Sequence, residues 1–167
     1  MDKVSEVKQW IEHVSTKREE LGGHAICPYA FSASVRIEER ALSEVTLIEG
    51  ATEDNIIFIV GDDVTLPSML NKVAELNMLH PDYVFLDDHK DDPTHIMGIQ
   101  SNFGKYNIIM CQRNDKLLEA REKLHKTDYY DYWHQEMYQR IINGKFPNRQ
   151  EQRIRRIWND THHSASE

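Results

Sequence analysis

Two stretches of this 167-residue chain carry side chains able to do chemistry. The first reads His24-Ala25-Ile26-Cys27-Pro28-Tyr29. A thiolate forms near neutral pH only beside a cation, a helix N-terminus or a metal. His24, three residues before Cys27, can supply that cation in a turn, and Pro28 fixes the bend behind the thiol. One reading makes Cys27 a nucleophile, a redox group or a metal ligand. The other makes it a small buried hydrophobe between Ile26 and Tyr29. The second stretch holds His80, Asp82, Asp87, Asp88, His89, Asp91, Asp92 and His95, eight metal-capable groups in sixteen positions. On an extended segment His80 and Asp82 would share a side. Imidazole with carboxylate suits Zn, Fe or Mn, and an added thiolate favours Zn or Fe. His80, Asp82, Asp92 and His95 are then the candidate ligands. Without a metal, His80 oriented by Asp82 is an acid–base pair. The competing reading is a solvated acidic loop whose His80 ends the helix before it. No HExxH is present, and residues 87–98 lack the glycine and closing glutamate of an EF-hand.

A third feature is cationic. Residues 139–160 hold Arg140, Lys145, Arg149, Arg153, Arg155 and Arg156 against Glu151 and Asp160, in a chain of net charge −8. Tyr129, Tyr130, Tyr132, Trp133, Tyr138 and Trp158 lie in or near this segment. Arginine among aromatics suits an anionic ligand or single-stranded nucleic acid. Equally, the aromatics can dock helices onto an acidic body, and the spacing of Tyr130, Trp133, Met137 and Ile141 fits docking. A contact between copies of the chain, basic tail to acidic body, is the next reading.

Other chemistries find no support. There is no GxGxxG, GxxxxGK[ST] or GxSxG. Asp62-Asp63 reads as a turn and helix cap before it reads as a Mg²⁺ site. Cys111 closes an apolar run and reads as buried. The acidic balance argues against a chain that coats nucleic acid or a membrane surface, the basic C-terminal segment excepted. With 40% apolar and 29% charged residues the chain suits a folded domain rather than disorder. Two cysteines make no disulfide framework. With no signal-like N-terminus and no apolar run near 18 residues, a reduced, cytoplasmic protein without a membrane partner is expected.

Some framework must position these groups. Val4, Val7, Ile11, Val14 and Leu21 fall on one helical face and predict a helix over 3–21, stopped by Gly22-Gly23. Residues 33–39 alternate like a strand, and 44–49 are a second candidate, the two forming one bent hairpin if paired. Residues 55–60, NIIFIV, read as a buried central strand. Gly61-Asp62-Asp63 then offers a turn and a cap. A helix with Pro67 in its first turn follows, through about residue 78. Residues 82–87 are a short strand and 106–112 a second buried one. The polar stretch 88–104 between them is long for a structureless connection, so it is functional or mobile. Asn114 or Asp115 can cap a helix over 115–125. Thr127 or Asp128 caps a helix near 129–142, and Asn148-Arg149-Gln150-Glu151 resembles a capping box for a last one.

The islands Trp10-Ile11, Ile26-Cys27-Pro28-Tyr29-Ala30, His80-Pro81-Asp82-Tyr83-Val84-Phe85 and Asp91-Asp92 resemble an uncharacterised bacterial family of domains of unknown function. There a tryptophan-led first helix precedes Leu-Cys-Pro-Phe-Ala, and His-Pro-x-Tyr-x-Phe and an aspartate follow. The resemblance covers residues 10–95. That family continues with Asn-Arg-Ser-Pro-Tyr-Pro and a nearby His, where this chain reads HIMGIQSNFG. The resemblance implies a shared fold with altered site chemistry and brings no activity with it.

The expected fold is α+β: a ferredoxin-like antiparallel sheet with helices on one face, plus extra N- and C-terminal helices. Residues 1–126 would form the core and 127–167 a helical extension packed on it. The expected function is a small enzyme acting on a small anionic molecule. Cys27 is its nucleophile or ligand, and His80, oriented by Asp82, its base or ligand. Asp92 and His95 complete the site. Tyr29 and Tyr83 line it, and Arg149 and Arg153 hold the anion. A cofactor, if there is one, is Zn or Fe. The rival is a binding module whose basic aromatic C-terminal helices take a partner protein, a small ligand or RNA.

Overall fold

The computed structural model describes residues 1–31, 33–133 and 138. Helix α1 spans Lys3–Ser15. Asp2 caps it, its Oδ1 accepting from the Ser5 N–H at 2.7 Å. The apolar pattern predicted a helix to residue 21, but the hydroxyls of Ser15 and Thr16 turn back to the Glu12 carbonyl, at 3.1 and 2.6 Å. The Cys27 N–H then takes the Val14 carbonyl at 2.8 Å. Side chains that compete for backbone carbonyls end helices in this way. Leu21 is still buried, but from a 3₁₀ turn over Glu19–Leu21. That turn closes at Gly22, whose φ is 63°. The Tyr132 ring fills the space a β-carbon would occupy there, so only glycine fits.

A second 3₁₀ turn, Pro28–Phe31, precedes strand β1, Val35–Glu39. Then come β2 (Asn55–Val60), α2 (Leu66–Leu79), β3 (Tyr83–Asp88), β4 (His95–Ile96), β5 (Ile99–Gln100), β6 (Asn107–Arg113) and α3 (Asn114–His125). A last 3₁₀ turn covers Tyr129–Tyr132. This is a mixed α+β fold. Its main sheet has the order β1-β2-β6-β3, and β4 and β5 pair separately. All six residues of β2 are buried, as its unbroken apolar run requires.

Three features depart from the expected antiparallel sheet covered on one face. β1 runs parallel to β2, while β6 is antiparallel to both β2 and β3. The strand expected at 44–49 is absent. Leu42–Glu44 make a 3₁₀ turn, and Val45 enters the core with Leu47 and Ile48 packed against it. Those apolar residues cover the sheet instead of extending it. Helices also lie on both faces. Ile56, Phe58, Val60, Phe85, Ile109 and Cys111 pack with Met69, Val73 and Leu76 of α2. The alternate residues Ile57, Ile59 and Ile108 pack with Val7 of α1.

Caps differ in detail from expectation. Thr65, not Asp63, caps α2 through the Ser68 N–H at 3.3 Å. Arg113 occupies the cap position of α3. The polar stretch 88–104 contains the β4–β5 hairpin, turned at Met97 (φ 51°) and Gly98 (φ 78°). Ile96 of this hairpin packs with Val14, Leu21 and Ile26. The helix expected near 129–142 opens as the 3₁₀ turn. Beyond Trp133 its remainder (Tyr138 apart), the stretch expected as a last helix and the basic tail with Arg149 and Arg153 lie outside the described residues. No described helix is long and apolar enough to cross a membrane.

Candidate functional site

The dense polar stretch does not gather into a metal or acid–base centre. His80 caps the C-terminus of α2, its ring 5.9 Å from that of Phe85. Pro81 and Asp82 form a turn rather than a strand, so the alternation that would align His80 with Asp82 does not apply. Asp82 is exposed, and its carbonyl accepts from the Asn114 N–H at 3.0 Å. Tyr83 packs against the α2-side core. Asp92 is half-buried, with its carbonyl 3.5 Å from Asn102 Nδ2. His95 is exposed on the β4–β5 hairpin. Among the described residues, no group of three or more His, Cys, Asp or Glu is arranged to hold a metal ion.

The buried members of that stretch instead tie loops together. Asp88 accepts from Asn102 Nδ2 at 3.3 Å and from the Phe103 N–H at 3.0 Å. His89, 4% exposed, donates from Nε2 to the Val64 carbonyl at 2.7 Å, and its Nδ1 accepts from the Asp91 N–H at 3.2 Å. Asn107, fully buried, donates to the Gly61 and Val64 carbonyls and accepts from the Lys90 N–H. Each polar group finds a partner, which is what burial demands. Replacing His89 by leucine should therefore cost about 1–3 kcal/mol in urea unfolding. It should leave the labelling rate of Cys27 unchanged. A changed labelling rate at full stability would instead place His89 in the working site.

Cys27 lies elsewhere, at the start of the Pro28–Phe31 turn. Burial pushes its thiol up, and the backbone N–H groups of Ala30 and Tyr29, directed at the sulfur, oppose that shift. His24 is not its cation. His24 Nε2 lies 2.6 Å from Asp128 Oδ1, and that bond holds the Asp128 carboxyl below its usual range. The His24 ring meets Tyr129 edge-on at 5.6 Å. Cys111 sits in the α2-side core, 2% exposed, where burial pushes its thiol up to about 12. It is an inert structural thiol, as its apolar run suggests.

Behind Cys27 is a cavity of about 370 Å³. Residues of α1, the Cys27 turn, the sheet, α2, α3 and the segment Tyr129–Trp133 line it. The β-ladder explains the floor. Asn55 faces Gln112 and Ile57 faces Met110 across β2 and β6. Val35 and Leu86 are their neighbours on β1 and β3, so all six side chains share one face. All six are on the cavity wall. Cys27 and Tyr29 are on it too, whereas His80, Asp82, Tyr83, Asp92 and His95 are not. Of the expected site residues within the described part, the structure brings together those two alone.

Asn55, Gln112 and Arg121 escaped the sequence reading. Asn55 opens one apolar run and Gln112 closes another, so both pass for strand ends. The signal was present: a carboxamide at the matching end of each of two buried strands. Burial weighs against the charge of Arg121, which lies on the same wall. No family model, no curated protein and no solved structure matches the chain.

Proposed function

We propose that this protein binds a small, mostly apolar molecule in the cavity behind Cys27. The carrying observation is the wall itself. Aromatic and aliphatic side chains enclose about 370 Å³, with Cys27, Tyr29, Asn55, Asn77, Ser101 and Gln112 as uncharged polar points and Asp87 and Arg121 as charged ones. Cavities that hold small ligands run from about 300 to 1,000 Å³ and have this mostly apolar lining with few polar groups. The test is occupancy. A filling substitution at the floor, Ile57→Trp, should abolish binding of a hydrophobic ring probe that wild type binds. Equal binding by both proteins would sink the reading.

A second reading, a thiol enzyme, has one observation behind it: the N–H groups of Tyr29 and Ala30 at the Cys27 sulfur favour a thiolate. No histidine or lysine on the described wall adds to them. Burial is the larger influence, so the thiol keeps its proton above the ordinary cysteine range. The thiolate fraction at neutral pH is then below that of free cysteine. Labelling with a disulfide reagent should be slower than for free cysteine at pH 7. The rate should still be climbing above pH 9, and Cys27→Ser should remove it. Labelling at pH 7 faster than free cysteine would make Cys27 an activated nucleophile and promote the enzyme reading. Tyr83 and a metal have no part in either proposal, and the kinship to the domain family suggested by the Cys-Pro motif adds no activity to them.

A further inference from the structure

Asn55 supplies the unanswered side-chain acceptor on the strand floor of the cavity, in contrast to the unanswered donors of Trp10, Trp133 and Tyr29 elsewhere on its wall. It is 7% exposed in a strand that is buried throughout, yet its side-chain Oδ1 has no hydrogen-bond partner. Buried acceptors are normally paired, because an unpaired one forfeits its hydration without return. The Tyr29 hydroxyl is also unpartnered, with its oxygen shielded from solvent. Burial pushes that hydroxyl up to about 12, with Asp54 adding to the shift and Arg113 opposing it. The Tyr29 carbonyl accepts from the Ala33 N–H at 3.2 Å, the carbonyl of the next residue, Ser34, accepts from the Asn55 N–H at 3.0 Å, and Gln112 faces Asn55 across the ladder, so the Tyr29 turn and the two carboxamides adjoin at one end of the cavity.

The remaining wall constrains the rest of the ligand. Trp10, Tyr130 and Trp133 contribute aromatic surface, and the buried indole N–H groups of Trp10 and Trp133 are donors without an acceptor, so a ligand carbonyl has a choice of donors besides the Tyr29 hydroxyl. The charged wall residues are Asp87 and Arg121. Among the described residues, no charged side chain on the wall is left without a partner. One benzene fills a cavity of about 150 Å³. The 370 Å³ present here accommodates two fused rings with a small polar substituent.

We infer that the cavity takes an uncharged bicyclic aromatic molecule with a carboxamide-like edge, whose N–H donates to Asn55 Oδ1 and whose carbonyl accepts from the Tyr29 hydroxyl. This deepens the proposal above and rests on the cavity being the working site. It differs from the anionic molecule expected from Arg149 and Arg153, which lie outside the described residues.

The experiment is calorimetric titration of the full chain with three naphthalenes of one shape. 2-Naphthamide offers both N–H and carbonyl. 2-Acetylnaphthalene keeps the carbonyl alone. 2-Naphthoate carries a charge. Wild type should bind the amide about tenfold or more tightly than either of the others, the worth of one well-placed hydrogen bond. Asn55→Leu should close the gap between amide and ketone without lowering Tm, since it removes an acceptor that nothing in the protein answers. Tyr29→Phe should weaken amide and ketone alike, and carries the comparison if the Asn55 variant does not fold. A ketone that binds wild type as tightly as the amide, or a carboxylate that binds best, overturns the inference and leaves the cavity reading standing. Failure of all three naphthalenes to bind wild type overturns both.

Discussion

Asn77→Ala is expected to lower unfolding free energy by about 2–5 kcal/mol, since it strands two buried backbone groups at about 1–3 kcal/mol each. Asn77 lies in the last turn of α2 and is 5% exposed. Its Nδ2 donates to the Phe85 carbonyl at 2.9 Å, and its Oδ1 accepts from the Phe85 N–H at 2.7 Å. Phe85 belongs to β3, one of the two edge strands of the sheet. Both its backbone groups are thus answered by one side chain on a helix, in place of a further strand. An open edge is also a template for pairing with other chains, so the variant should aggregate more readily. Asn77→Asp is the informative companion. It keeps the acceptor for the Phe85 N–H but sets a carboxylate oxygen against the Phe85 carbonyl, and should cost at least as much. Urea denaturation of the three proteins decides. A loss under about 1 kcal/mol for both variants would mean that water replaces Asn77 at the edge.

The elements that were legible in the sequence are those whose pattern and burial agree. The run Asn55–Val60 is buried throughout, and α2 and α3 lie within a residue or so of where their apolar spacing put them. What failed was pairing. Residues 33–39 read as a strand, of which 35–39 form one, but nothing in their alternation says that the partner is β2, parallel, rather than residues 44–49 in a hairpin. Strand identity is local, whereas pairing depends on which face α1 covers, and α1 itself ended early because hydroxyls at Ser15 and Thr16 competed for its last carbonyls. Asn77 shows the same limit, as a polar residue on an apolar helix face whose partner is eight positions away on a strand.

The candidate site divides in the same way. Cys27 and Tyr29 share the cavity wall because they are neighbours in one Cys-Pro turn, a local feature that the sequence displays. The crowd of His and Asp at 80–95 misled because density is not convergence. Consecutive polar residues in a turn and a strand fan outward, and the buried ones were claimed by backbone donors and acceptors nearby. Asn55 and Gln112 are 57 residues apart and meet only through the β2–β6 register, which composition cannot reveal.

Tyr129 joins stability to the site and carries the other large effect. It is 4% exposed, its hydroxyl donates to the Ile26 carbonyl at 2.5 Å, and its ring meets Tyr130 edge-on at 4.9 Å. It lies on the cavity wall beside the Cys27 turn, 103 residues from its hydrogen-bond partner. Tyr129→Ala removes a buried aromatic ring and should cost about 3–5 kcal/mol. It should also open the wall, so that Cys27 labels faster under conditions where the protein is still folded. Tyr129→Phe keeps the ring and strands one carbonyl. It should cost about 1–2 kcal/mol and change labelling little. The two variants separate packing from hydrogen bonding at one position. If both speed labelling equally, the hydroxyl and not the ring holds the Cys27 turn closed. If neither does, Tyr129 is a scaffold residue and access to Cys27 runs past another part of the wall.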